Sequence, residues 1–104
     1  MIRKLPTVRA YHDALLEYMQ GSGESGLAQA YEFGRSGLHQ DAGFLHIIRV
    51  HEEALDTIVA ATPEISDVRQ RLDASAEFLA EALSPFEMAF RGYRAYVRAY
   101  AGRL

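Results

Sequence analysis

Apolar positions in this chain recur at intervals of three and four and almost never at two, the period of helices rather than strands. Val8, Tyr11, Leu15, Tyr18 and Met19 make one stripe that GSG at 21–23 stops, which predicts a first helix over about 7–20. Ser22 is placed to cap a second helix, in which Leu27, Tyr31 and Leu38 mark a face with Ala30, Gly34 and Gly37 beside it. A glycine inside a helix costs about 1 kcal/mol against alanine, so Gly34 and Gly37 imply a neighbouring helix that comes close. HQDAG ends this helix near residue 39. A third helix is predicted over about 43–61, with Phe44, Ile48, His51, Leu55 and Ile58 on one seam and ATPEIS closing it. Short loops throughout predict an all-α fold, a four-helix bundle with antiparallel neighbours.

The last segment carries a longer pattern. Leu72, Ala76, Leu79, Leu83, Phe86, Phe90, Tyr93, Val97, Tyr100 and Leu104 alternate by four and three without losing phase, which is a heptad seam. Pro85 lies inside it and removes the N–H that would bond the Glu81 carbonyl. Two readings fit. Ser84 and Glu87 in SPFE form a capping box that could start a fresh helix; alternatively, one long helix runs through and bends at Pro85. The unbroken register favours the single helix with Pro85 as its hinge. Phe86, Phe90, Tyr93, Val97 and Tyr100 are then the seam of a dimer or of a signalling helix.

Charge and composition narrow the function. The 14 acidic and 11 basic residues are spread along the chain and leave a net charge of −3, so there is no basic stripe to neutralise phosphates, and nucleic acid is not an expected partner. The absence of cysteine removes disulfides, thiolate metal sites and cysteine nucleophiles together, and fits a cytoplasmic setting. No apolar run reaches the ~20 residues of a membrane span, so no membrane is expected.

Candidate chemistry is sparse. No Glu-x-x-His motif accompanies His12, His39, His46 and His51, so a carboxylate-bridged metal site is not expected, nor is any cofactor. His12 beside Asp13, and His51 beside Glu52 and Glu53, are sequence neighbours that a helix points apart. His51 falls on the third seam, where a buried, hydrogen-bonded histidine is the simpler reading than a sensor. GSGESG lacks the preceding strand that a phosphate-cradling turn requires. Glu32 and Arg35 are one turn apart, a surface pair. Arg91, Arg94 and Arg98 with Tyr93 and Tyr96 suit a helix C-terminus and are also residue types enriched at interface hot spots. A ligand pocket or enzyme site among Tyr11, Tyr31, His51 and Tyr93 is the competing expectation, and a stand-alone dimerisation module is a third.

Four stretches together carry a resemblance. YHDALLEYM at 11–19, ESGLAQAYEFGR at 24–35, IIRVHEEAL at 47–55 and FLAEALSPFEMAF at 78–90 resemble, in order, the N-terminal regulatory domain of RsbU-type phosphatases, the PP2C-like serine phosphatases of bacterial stress signalling. The resemblance implies a non-catalytic, dimeric four-helix domain, here a single domain over 1–104. Such a domain binds a switch kinase of the RsbT type, or a similar signalling protein, and passes the signal through its last helix, about 90–104, to an output domain. Carried over by position, the partner surface falls on Glu24, Ala28 and Tyr31 of the second helix and on Ala80, Ser84 and Glu87 of the last. Ala28 is small for an interface anchor, and Pro85 is a local departure from the family pattern.

Overall fold

In the computed structural model, which describes residues 7–40 and 43–102, Thr7 opens the first helix: its hydroxyl accepts the Ala10 N–H at 3.1 Å. Four helices follow, α1 Val8–Met19, α2 Glu24–His39, α3 Phe44–Ala60 and α4 Ile65–Ala101, and no strand occurs among the described residues. The fold is the all-α four-helix bundle that the periodicity predicts. Leu104, the last seam position, lies outside the described residues. Among those residues no helix is long and apolar enough to cross a membrane.

The second helix starts one residue later than its expected cap. Gly23 is the N-cap, at φ +62, and Gly21 sits at φ +107, so the turn out of α1 uses the left-handed region that glycine enters without a Cβ penalty. Ser22 does not cap; its hydroxyl is buried without a partner, and a Cβ on Gly26 would collide with it.

The core is built on Tyr11, Leu15, Ile47 and Phe78, each fully buried. Tyr11 is its hub, packed against Phe33 at 5.3 Å and edge-on to Phe78 at 5.1 Å, so one ring joins α1, α2 and α4. Tyr18 adds a second tie between α1 and α4, its hydroxyl donating to Glu77 at 2.5 Å.

On three helices the buried stripe differs from the predicted one. In α2 the small residues Gly26, Ala30, Gly34 and Gly37 are buried while Leu27, Tyr31 and Leu38 are half-buried, because the helix is pressed so close to its neighbours that only small side chains fit between. A Cβ on Gly34 would overlap the Ala82 carbonyl of α4, and the place it would occupy lies 3.2 Å from Pro85 Cδ. In α3 the buried face is Ile47, Val50, His51, Ala54 and Ile58, turned by about one residue from the expected seam, with Phe44 exposed.

The α4 helix runs without interruption for 37 residues through Pro85, which is buried against α2. Its core face is Ser75, Phe78, Ala82 and Pro85, itself spaced three, four and three. The predicted heptad seam keeps its phase but lies one position round the helix. Leu79, Leu83 and Phe86 are half-buried, Leu72 is exposed, and from Phe90 to Tyr100 every seam residue faces solvent. At 1.5 Å per residue the helix is about 55 Å long, and all of residues 87–102 are exposed beyond the bundle.

Candidate protein-interaction site

Two grooves flank α4, and the expected partner residues divide between them. The first, about 450 Å³, lies between α2 and α4 and is lined by Glu24, Leu27, Ala28, Tyr31, Glu32 and Glu81. Glu24, Ala28 and Tyr31 therefore do come together. Ala28 is the smallest side chain in this lining. Three carboxylates rim the groove, of which Glu32 is paired with Arg35 at 3.2 Å, as the spacing predicts.

The second groove, about 740 Å³, runs along the other side of α4 and is lined by Phe44 of α3 with Ala80, Leu83, Phe86, Glu87, Phe90 and Tyr93, among others. Ala80 and Glu87 thus belong with the heptad seam and not with Glu24. Ser84, half-buried, lies on the strip of α4 between Glu81 and Glu87. Phe44 and Glu81 escape the sequence reading, because each enters its groove from an element whose rotation periodicity alone does not fix.

Beyond the bundle three pairs of side chains meet along α4 itself. Glu87 accepts from Arg91 at 2.7 Å, Arg94 lies 5.8 Å from the centre of the Phe90 ring, and Tyr96 stacks on Tyr100 at 6.4 Å. Six large apolar side chains are exposed there: Met88 at 59 %, Phe90 at 59 %, Tyr93 at 64 %, Tyr96 at 67 %, Val97 at 43 % and Tyr100 at 57 %. Phe90, Tyr93, Val97 and Tyr100 share the predicted seam.

Tyr11, Tyr31, His51 and Tyr93 do not converge. Tyr11 and His51 are both buried, with the Tyr11 hydroxyl hydrogen-bonded to His51 Nδ1 at 2.8 Å, whereas Tyr31 lines the first groove and Tyr93 the second. His51 is the buried, hydrogen-bonded histidine expected of the third seam. His12 and Asp13, expected to point apart, instead meet at 3.0 Å on the surface. Among the described residues no three His, Asp or Glu side chains are grouped to hold a metal ion.

Burial raises the Tyr11 hydroxyl above the ordinary tyrosine range and lowers His51 below the ordinary 6.5. The unfolded chain therefore takes up the His51 proton at a higher pH than the folded one. This contribution to stability is complete above the ordinary imidazole range, near 6.5, and is lost on acidification until the folded imidazole itself protonates. Urea midpoints at pH 7.5 and 5.5 are expected to show this loss, and His51→Leu to reduce it; equal pH dependence in the two proteins would contradict it.

No curated protein and no solved structure matches the chain. Its residues 9–89 match the family described as the N-terminal domain of phosphoserine phosphatase RsbU, and the chain belongs to that family.

Proposed function

We propose that this domain is the regulatory input of a signalling protein, a homodimer joined through α4 that binds a switch kinase of the RsbT type in the α2–α4 groove and thereby controls a PP2C-type phosphatase or similar output. The observation that carries the reading is the gathering of Glu24, Ala28 and Tyr31, the partner positions expected from the family, into one open groove beside the Pro85 crossing. The domain's part is binding and relay; the chemistry belongs to the partner and the output.

The groove and the relay share an element. Glu81 lines the groove through its side chain, and its main-chain carbonyl is the one that Pro85 deprives of a helical donor. A partner seated against Glu81 and Tyr31 presses on α4 where its hydrogen-bond ladder is interrupted. A change in bend there would travel along a stiff helix to residues 90–102. Such regulation requires two arrangements of similar energy, and a proline inside a heptad seam supplies a place for them.

The test is Pro85→Ala in a chain fused to its output, titrated with an RsbT-type kinase. Restoring the ladder is expected to straighten α4 and to alter the output's response to the kinase. Unchanged affinity together with unchanged output would refute the hinge, and lack of kinase binding to the unmodified chain would refute this choice of partner.

A further inference from the structure

We propose that two copies pair through α4 in an antiparallel sense, in the single register that sets Glu87 against Arg94 of the partner subunit; the inference rests on the dimer reading above. The occupant of the second groove is then the outer end of another copy's α4.

The argument is one of position. With Leu83, Phe90 and Val97 as a positions and Phe86, Tyr93 and Tyr100 as d positions, the seam leaves Ala80, Glu87, Arg94 and Ala101 at e and Ser75, Ala82, Ala89 and Tyr96 at g. From Ala80 outward the e strip carries one acid and one base, seven residues apart, with Asp73 a further acid at the e position two heptads inside Glu87; the g strip carries no charge. Parallel helices bring e against g, so neither Glu87 nor Arg94 would meet a charge. Antiparallel helices bring e against e, and only there does this chain's charge pattern act on itself.

It also selects the register. Stacking Phe90 on Tyr93 of the partner subunit, with Phe86 on its Val97 and Leu83 on its Tyr100, places Glu87 opposite Arg94 of the partner subunit twice, once in each direction. A slip of one heptad one way brings Glu87 onto Glu87 of the partner subunit; a slip the other way brings Arg94 onto Arg94 of the partner subunit. In the chosen register the small Ala89 faces the large Tyr96 of the partner subunit.

The exposed surface agrees with this overlap. Phe90, Tyr93, Val97 and Tyr100 are the large apolar seam residues exposed beyond the bundle, and each is covered in the proposed pair. Val97 and Tyr100, which have no core of their own to pack on, would meet Leu83 and Phe86 of the other copy in the groove that Phe44 widens. Phe44 lies 6.5 Å from Phe86, ring centre to ring centre, and extends the apolar wall past α4 itself.

The chain contains no cysteine, so introduced thiols report unambiguously. Glu87→Cys and Arg94→Cys proteins, mixed and treated with a short bis-maleimide, are expected to form a cross-linked dimer that neither forms alone, since the mixed pair retains one Glu87–Arg94 contact. Val97→Cys is expected not to cross-link to itself, because antiparallel packing holds the two copies of residue 97 about 16 Å apart along the axis. Charge reversal gives a second arm: Glu87→Arg or Arg94→Glu is expected to weaken the dimer about tenfold, and the double reversal to restore it. Self-cross-linking at Val97, or a dimer indifferent to both reversals, would overturn the orientation while leaving the dimer standing. A monomer by sedimentation would overturn both.

Discussion

Phe78→Ala is expected to destabilise the bundle by about 3–5 kcal/mol, measured as a shift of the urea midpoint at fixed protein concentration. Phe78 is fully buried on the core face of α4 and touches the rings of Tyr11 at 5.1 Å and Tyr18 at 5.9 Å. Its loss removes apolar burial and leaves a void under Tyr11, the ring that holds α1 and α2 to α4. Tyr11 cannot move in to fill the space without releasing His51, whose Nδ1 is hydrogen-bonded to its hydroxyl at 2.8 Å. The cost therefore belongs near the upper end of the range for aromatic truncations. Since such a domain has only about 5–15 kcal/mol in all, the variant should be marginal at 37 °C. A loss below about 1.5 kcal/mol would show that the core collapses readily and that Tyr11 is not its hub.

Gly34→Ala is expected to destabilise by about 2 kcal/mol, against the usual sign of the substitution. In an open helix alanine is better than glycine by about 1 kcal/mol. At Gly34 the added methyl would overlap the main-chain carbonyl of Ala82, which belongs to a helix backbone and cannot swing aside as a side-chain end would. Forcing the helices apart costs about 1–3 kcal/mol or more by the general behaviour of overpacked cores, and it exceeds the propensity gain. Gly92 provides the control, because an added Cβ there meets nothing within 4 Å and Gly92→Ala should stabilise the helix by up to about 1 kcal/mol. The same sign at both positions would contradict the close crossing of α2 and α4. Because that crossing also seats Pro85, Gly34→Ala should disturb partner response as well as stability.

Sequence periodicity read the number, order and approximate ends of the helices, because each stripe at three and four needs only local information. It also read Gly34 and Gly37 as close-approach positions and carried the last helix through Pro85, on the argument that a seam broken by a turn would not keep phase. It did not read which of two adjacent stripes faces inward. In α4, Ser75, Phe78, Ala82 and Pro85 and the stripe of Leu79, Leu83 and Phe86 have the same spacing, and the choice between them is made by α2, whose small face admits a backbone carbonyl but no bulky side chain. The consequence for the candidate site is direct. The more apolar stripe is left outside the core, and Ala80 and Glu87 travel with it to the second groove. Ser22 misled for a simpler reason: the turn out of α1 needs a left-handed residue at the cap position, and Gly23 meets that need where a side-chain cap does not.

The exposed α4 surface sets the energetic scale for association. An unpartnered helix of sixteen residues is marginal in water, and aromatic side chains such as Phe90, Tyr93 and Tyr100 add stability to it only when covered. Sedimentation equilibrium of the 104-residue chain over a wide concentration range tests the central claim, that the seam outside the bundle is an interface between two copies. The account predicts a reversible dimer that Phe90→Asp converts to a folded monomer, with the helical signal of residues 87–102 reduced. A folded monomer at every concentration, with that helical signal intact, would contradict it.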